Sequence, residues 1–384
     1  MIKKLYIYHP FSDGELGLTV DSYFNKKFDS RKKLYLIKNL VNNEIIRKKI
    51  QTIFFINRKK YLHLYILQIF KLYFWAYINN LNFFNIRFTS NAKYLDSNSF
   101  FYSNARSTLK YKPAFFLKNL NCIKLFNLSH FEVETSLLSK NAKQIGVDFF
   151  IFENNLSKNS DYFKHHFSFY KKDTYVLPHV YNERFKNYTK FKDRKNLCFA
   201  SGRVIIFDEK KDYNYKDFIK FFNINYQHKI RFDIFNNKKI TKGLINSFIS
   251  LKDSSMSTSV TQNAKMKESY YSNFNIVDMY NKHKMFVAPE GVNDTPPIGF
   301  VEGMSCGSAL IALDNYMYKD LGLKNEFHYI SYNGDLEDLI SKIKYFQKNS
   351  DKLEKIAQQG HDFVINNLNP EKISHAFVNF INSI

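Results

Sequence analysis

Cysteine, glycine and proline are scarce in this chain, and negative charge is scarcer than positive. The three cysteines, Cys122, Cys198 and Cys306, are isolated, odd in number and without CxxC or histidine-rich spacing, so neither a disulfide framework nor a structural zinc site is expected. A reducing, cytosolic setting fits that usage. Twelve glycines and seven prolines without a compositional repeat exclude collagen-like and flexible-linker architectures. Long apolar runs are missing too. The most apolar stretch, 61–84, is broken by His63, Gln68, Lys71, Asn79, Asn80 and Asn82. It falls short of the about 20 uninterrupted apolar residues that span a bilayer, and reads as a buried or interfacial helix. The opening MIKKLYIY leads straight into a strand pattern rather than an apolar segment with a small-residue cleavage site, and reads as mature structure.

What the chain has is apolar bulk and positive charge. In 384 residues, 45% are hydrophobic and 18% aromatic, enough to bury a large core and to exclude disorder. The length predicts two domains of about 150–200 residues each. Against 35 acidic residues stand 57 Lys and Arg, a net charge of +22. The excess is concentrated: residues 22–118 hold 19 basic and 3 acidic residues (Asp29, Glu44, Asp96), a net of +16, whereas residues 181–384 hold 29 and 23, a net of +6. One region is therefore a cationic surface, suited to nucleic acid, anionic lipid headgroups or a phosphorylated substrate, or merely solvated.

Short β-branched and aromatic runs alternate with helical spacing along the whole length. Strands are predicted at 4–8, 50–57, 122–128 and 149–153, with helices at 61–79 and 134–146 between them. The pattern restarts after 195, with strands at 197–200, 230–235, 285–288 and 309–313. Strands alternating with helices imply parallel sheets covered on both faces, hence an α/β fold of two Rossmann-like lobes.

Two stretches carry more than fold. Between the lobes, 175–185 (YVLPHVYNERF) precedes a strand and glycine loop at 196–203 (NLCFASGR). Further on, 285–312 (MFVAPEGVNDTPPIGFVEGMSCGSALIA) reads as strand, loop, helix and strand. Together these resemble GT-B glycosyltransferases of the group-1 type, whose interdomain crossing and nucleotide-sugar-binding lobe have this form. In the usual pattern a loop Glu is followed, after seven residues, by Glu-Ala-Met-x-x-Gly. Glu302-Gly-Met-Ser-Cys-Gly307 fits the second part. Upstream the chain departs: Glu290-Gly291 lies twelve residues before Glu302, and the residue eight before it is Asp294. Either Glu290 or Asp294 holds the first acidic position.

The chemistry of 285–312 also follows from its residues. Thr295 is the expected N-cap, with Pro296 or Pro297 in the first helical turn, where the missing N–H would go unpaired anyway. A helix beginning just past a strand's carboxyl end offers free amides and a positive dipole end to a diphosphate, with Gly291, Asn293 and Asp294 in the adjoining loop. Glu302, up to two turns along an apolar helix predicted over 298–309, is placed to accept two hydrogen bonds from ribose hydroxyls. In the Ser201-Gly202-Arg203 loop, the planar fork of Arg203 matches phosphate oxygens. The resemblance implies a lysine shortly afterward, for which Lys210, Lys211, Lys265 and Lys267 are candidates.

In the first lobe, Asp13-Gly14-Glu15-Leu16-Gly17 stands where GT-B enzymes have an acceptor-side glycine loop facing the central cleft. Residues 127–136 follow another strand's end. His130 is a candidate general base or hydroxyl-holding residue, with Asp13, Glu132 and Glu290 as further catalytic candidates. At the carboxyl end, 327–332, 335–346, 352–368 and 370–384 resemble the family's closing strand and helices. Asn369 and Pro370 start a last helix with Ile373, Ala376, Phe377, Phe380 and Ile381 on one stripe.

These readings combine into a GT-B enzyme with an acceptor lobe at 1–178, a linker at 179–195, a nucleotide-sugar lobe at 196–368 and a helix at 369–384 crossing back. The implied reaction moves a sugar from a nucleotide diphosphate to a saccharide or lipid-linked hydroxyl, in cell-surface polysaccharide or lipopolysaccharide synthesis. No Asp-x-Asp pair stands near a strand end, so no metal and no other cofactor is expected; retention and inversion of configuration both stay open. The expected location is the cytoplasm, either free or docked on the anionic inner face of the plasma membrane. A nucleotide-sugar epimerase or glycerophosphotransferase on the same fold is the alternative enzyme. A basic nucleic-acid-binding protein is the alternative of another class, although glycine-aromatic RNA motifs, helix-turn-helix and zinc-finger spacing are missing.

Overall fold

A computed structural model describes residues 3–8, 50–55, 86–89, 97, 99–109, 115–208, 212–253 and 274–384. The predicted helix at 61–79, the loop of Asp13, Gly14, Glu15 and Gly17, most of the cationic region 22–118, and Lys210, Lys211, Lys265 and Lys267 lie outside the described residues. The chain divides into two compact units: Met1–Phe152 with Leu156–Leu177 and Pro370–Ile384, and Glu153–Asn155 with Pro178–Asn369.

The first unit contains β1 (Lys3–Tyr8), β2 (Ile50–Phe55), β3 (Ile86–Thr89), β4 (Ser99–Asn104), β5 (Ile123–Asn127), β6 (Phe149–Phe152) and β7 (Tyr175–Val176). They form one parallel sheet in the order β3-β2-β1-β4-β5-β6-β7. Parallel neighbours need a crossover long enough to return the chain, and α1 (Thr135–Ile145) supplies it between β5 and β6. Its buried Leu138, Ala142 and Ile145 recur at helical spacing on one face.

In the second unit, β8 (Lys195–Ile206), β9 (Ile245–Asp253), β10 (His283–Val287), β11 (Ala309–Leu313) and β12 (Ile330–Tyr332) form a second parallel sheet in the order β12-β11-β10-β8-β9. The helices are α2 (Lys229–Asn236), α3 (Ile276–Lys282), α4 (Ile298–Ser305), α5 (Leu336–Lys348) and α6 (Ser350–Asn367). Successive strand residues serve opposite faces, as a sheet buried on both sides requires. Cys198, Met285, Val287, Ala309 and Ile311 pack with Ile230 and Ile234 of α2 and with Leu339 and Ile343 of α5. Phe199, Phe286, Leu310 and Ala312 pack with Tyr280 of α3, Val301 and Met304 of α4, and Val364 of α6. On that second face Gly303 is fixed by space, because a Cβ there would meet the Phe286 ring at 2.3 Å.

The last helix, α7 (Pro370–Ser383), belongs to the first unit. Phe380 stacks on Tyr175 with centroids 3.9 Å apart, and Phe377 meets Tyr102 edge-on. Such aromatic pairs add about 0.5–1.5 kcal/mol each beyond the area they bury. Of the predicted stripe, Phe377 and Ile381 are buried, Ile373 and Phe380 half-buried, and Ala376 exposed.

Three expectations are corrected. Residues 230–235 form helix α2, not a strand: Ile230, Phe232 and Ile234 alternate, yet the deeply buried pair is Ile230 and Ile234, one helical turn apart. The strand beside β8 is instead β9, whose Ile245, Phe248 and Ile249 have helix-like spacing. A short apolar run does not reveal its period alone, and pairing with β8 decided it. The strand predicted at 197–200 runs on to Ile206, so Arg203 is a strand residue paired with Ser250 rather than part of a loop. Helix α4 begins at Ile298 with Pro297 at its N-cap, and ends at Ser305; Thr295 is therefore not the cap. Among the described residues, no helix is long and apolar enough to cross a membrane.

Candidate functional site

In the second sheet the chain runs from β8 to β9 on one side and then to β10 on the other. Connections leaving neighbouring strands in opposite directions open a crevice at their carboxyl ends, where open α/β sheets bind ligands. Pairing of β8 with β10 stops at Phe199 opposite Phe286, so Ser201–Arg203 and the loop 288–297 both stand beyond it.

The loop is anchored by Glu290. Its buried carboxyl accepts from the Leu313 N–H (2.7 Å) and the Tyr318 hydroxyl (3.2 Å) on Oε1, while the Tyr332 hydroxyl stands 3.5 Å from Oε2. Burial pushes this carboxyl up to about 7, although the Leu313 and Tyr318 bonds pull it down. The Glu290 carbonyl accepts from the His228 ring, 2.8 Å away, just before α2. Burial, with Arg231 alongside, lowers that imidazole to about 3; the neutral ring donates from Nδ1. One residue thus joins the ends of β10, β11 and β12 to the start of α2.

Beyond Glu290, the Gly291 N–H bonds the Thr295 carbonyl at 2.7 Å, closing a tight loop. Inside it Asn293 and Asp294 both adopt left-handed backbone (φ 63° and 57°), a conformation that costs a non-glycine residue energy and clusters at functional sites. The Asp294 carbonyl accepts from the Asn315 amide. Both polar atoms of the Asn293 side chain are buried and have no partner among the described residues. Its amide is thus placed to donate and accept at once.

Glu302 lies in the second turn of α4. The residue is half-buried, and its carboxyl makes no hydrogen bond among the described residues. Burial pushes it up to about 7, and the charge of Arg184 draws it back only in part. Two acidic groups in one unit therefore share a similar proton affinity for the same reason, with opposite bonding.

The residue that sequence reasoning missed is Arg231, in the first turn of α2. Its Nε donates to the Ser201 carbonyl (2.9 Å) and its Nη1 to the Arg203 carbonyl (3.2 Å). The guanidinium lies flat over Gly202, where a Cβ would sit 2.4 Å from Cζ and where φ is +120°. Gly202 is needed for both reasons. Burial lowers the guanidinium to about 10. Reading 230–235 as a strand hid it; an Arg one turn into a helix that follows the β8 connection was the available signal.

In the first unit the structure brings His130 and Glu132 together past the end of β5, with Nδ1 3.3 Å from Oε1. His130 is exposed and left-handed (φ 60°), Glu132 is buried, and Phe131 between them is fixed in an aromatic cluster with Phe152, Tyr162, Phe163 and Phe167. Among the described residues no group of three or more His, Cys, Asp or Glu is arranged to hold a metal ion.

Residues 210–383 match the family model of glycosyl transferase family 90. That stretch contains Arg231, Glu290, Asn293 and Glu302. No curated protein is similar enough in sequence to count as a relative. Among solved structures, HepE of Anabaena in complex with UDP and glucose superposes with a TM-score of 0.52 at 9% identity, covering 100% of both chains. HepE with UDP gives 0.50 at 10%, again over 100% of both. Sucrose-phosphate synthase of Thermosynechococcus elongatus gives 0.50 at 9%, over 99% of this chain and 98% of its own. These likenesses establish the expected GT-B fold. The family matched is family 90, and the group-1 resemblance stays one of motif.

Proposed function

We propose that this protein is a glycosyltransferase that moves a sugar from a nucleotide diphosphate to an acceptor hydroxyl, with the donor held at the carboxyl ends of β8 and β10. The observation that carries this reading is the coincidence of the family 90 match with the polar groups gathered there. The carboxyl of Glu302 takes donor hydroxyls. The partnerless amide of Asn293, with Asp294, Thr295 and Gly291, frames the sugar and diphosphate. Glu290, bonded inward, positions the loop rather than reacting.

The acceptor oxygen attacks the anomeric carbon and the bond to the phosphate oxygen breaks. The electron pair departs on the nucleoside diphosphate, and the hydroxyl proton passes to a base. His130 is that base, oriented by Glu132; Asp13 is its competitor. Positive charge from Arg203 and the amides opening α4 stabilises the leaving group, so the reading includes no metal. Turnover that stops in EDTA would remove that part.

The acceptor is a saccharide or lipid-linked hydroxyl of cell-surface polysaccharide or lipopolysaccharide, supported by the net +16 of residues 22–118, which suits an anionic leaflet. Flotation with anionic vesicles is expected at low salt and lost at high salt. The main test is a thermal-shift panel of nucleotide sugars, beginning with UDP-sugars because HepE is seen with UDP. A binder stabilises the native state by about 2.7 kcal/mol at a hundred times its Kd. No shift from any nucleotide sugar would sink the reading.

A further inference from the structure

We infer that Arg231 is a cation that grips the diphosphate of the donor, an assignment that rests on the donor reading above. Its guanidinium is held by two carbonyls of β8 directly beyond the point where β8 and β10 part. Of its five N–H groups these bonds use two, and Nη2 donates to no described residue. No carboxylate among the described residues lies within ion-pair distance. Glu290 is the acid whose charge it feels; its Oε1 accepts from Leu313 and Tyr318, and the Tyr332 hydroxyl stands 3.5 Å from its Oε2. This half-buried cation has no bonded counter-charge among the described residues, and an incoming anion supplies one.

The geometry also fixes the orientation. Gly202 lets the planar group lie against the strand, and the two carbonyls set its plane, so the remaining N–H fork is fixed before any ligand arrives. A fork matches two phosphate oxygens, which a lysine ammonium does not. Arg231 also stands in the first turn of α2, where the helix dipole adds to its charge. Arg231 is half-buried rather than buried.

The experiment compares UDP with uridine on the full chain by titration calorimetry, for the wild type, Arg231→Gln and Arg231→Lys, with melting curves for each. Arg231→Gln is expected to weaken UDP on the order of ten- to hundredfold and leave uridine unchanged, with Arg231→Lys in between. If Arg231→Gln does not fold, Arg231→Lys decides alone: a loss on UDP of about threefold or more relative to uridine supports the assignment. Equal UDP affinity in a folded variant, or equal losses on UDP and uridine, overturns it while the donor reading stands. A wild type that binds neither UDP nor UDP-sugars overturns both.

Discussion

Glu290 and Glu302 lie twelve residues apart, and burial pushes both carboxyls up to about 7. Their surroundings are opposite. Glu290 is tied to a main-chain N–H and a tyrosine hydroxyl, with a second hydroxyl nearby, whereas Glu302 has no hydrogen bond among the described residues. Raised proton affinity therefore does not by itself identify the group that meets the substrate. The bonded carboxyl fixes a loop; the unbonded one carries an unmet capacity that a ligand can fill.

The largest effect that would break this comparison is on stability. Glu290→Leu strands the Leu313 N–H and the Tyr318 hydroxyl in a buried site, at a cost of about 4 kcal/mol for the two together. Glu302→Leu should cost little or add stability, because it removes a half-buried carboxyl that bonds no described residue. Urea denaturation of both variants checks the pair, and equal losses would show that the bonding difference is immaterial.

Next in size is pH. A carboxyl raised from 4.5 to about 7 binds a proton more tightly in the folded state, so its contribution is fully present below about 4.5 and is lost as pH rises through 7. For Glu302 the shift corresponds to about 3 kcal/mol. His228, lowered to about 3, works in the other direction, favouring the fold as pH rises towards 6.5. Subtracting the Glu302→Gln profile from that of the wild type cancels His228 and Glu290. The difference should fall between pH 4.5 and 7; a flat difference would refute the assigned shift.

The sequence revealed the alternation of strands and helices, the loop Glu, and the helix carrying Glu302, because each rests on local periodicity or spacing. It hid what tertiary pairing decides. Ile230 and Ile234 satisfied both a strand and a helix period, and Ile245 and Ile249 did the same in reverse, so α2 was misread and β9 was passed over. Arg231 was lost with α2. The inward bonding of Glu290 was equally hidden, since Tyr318 and Tyr332 are 28 and 42 residues away.

The two smaller effects concern function and one bond. Glu302→Gln keeps the shape of the side chain and removes its charge, and should weaken UDP-sugar binding about tenfold if the carboxylate accepts donor hydroxyls, with no loss of melting temperature. Unchanged affinity would end its role as a donor contact. Tyr318→Phe removes a single hydroxyl from Oε1 while the Leu313 N–H still holds it, so the expected cost is about 1 kcal/mol. Because that hydroxyl favours the charged form, its loss also moves Glu290 further up, and the stability loss attributable to Glu290 should shift to higher pH. A Tyr318→Phe variant whose pH profile superposes on that of the wild type would mean the tyrosine fills space without bonding the carboxyl, and the contrast with Glu302 would then rest on the Leu313 amide alone.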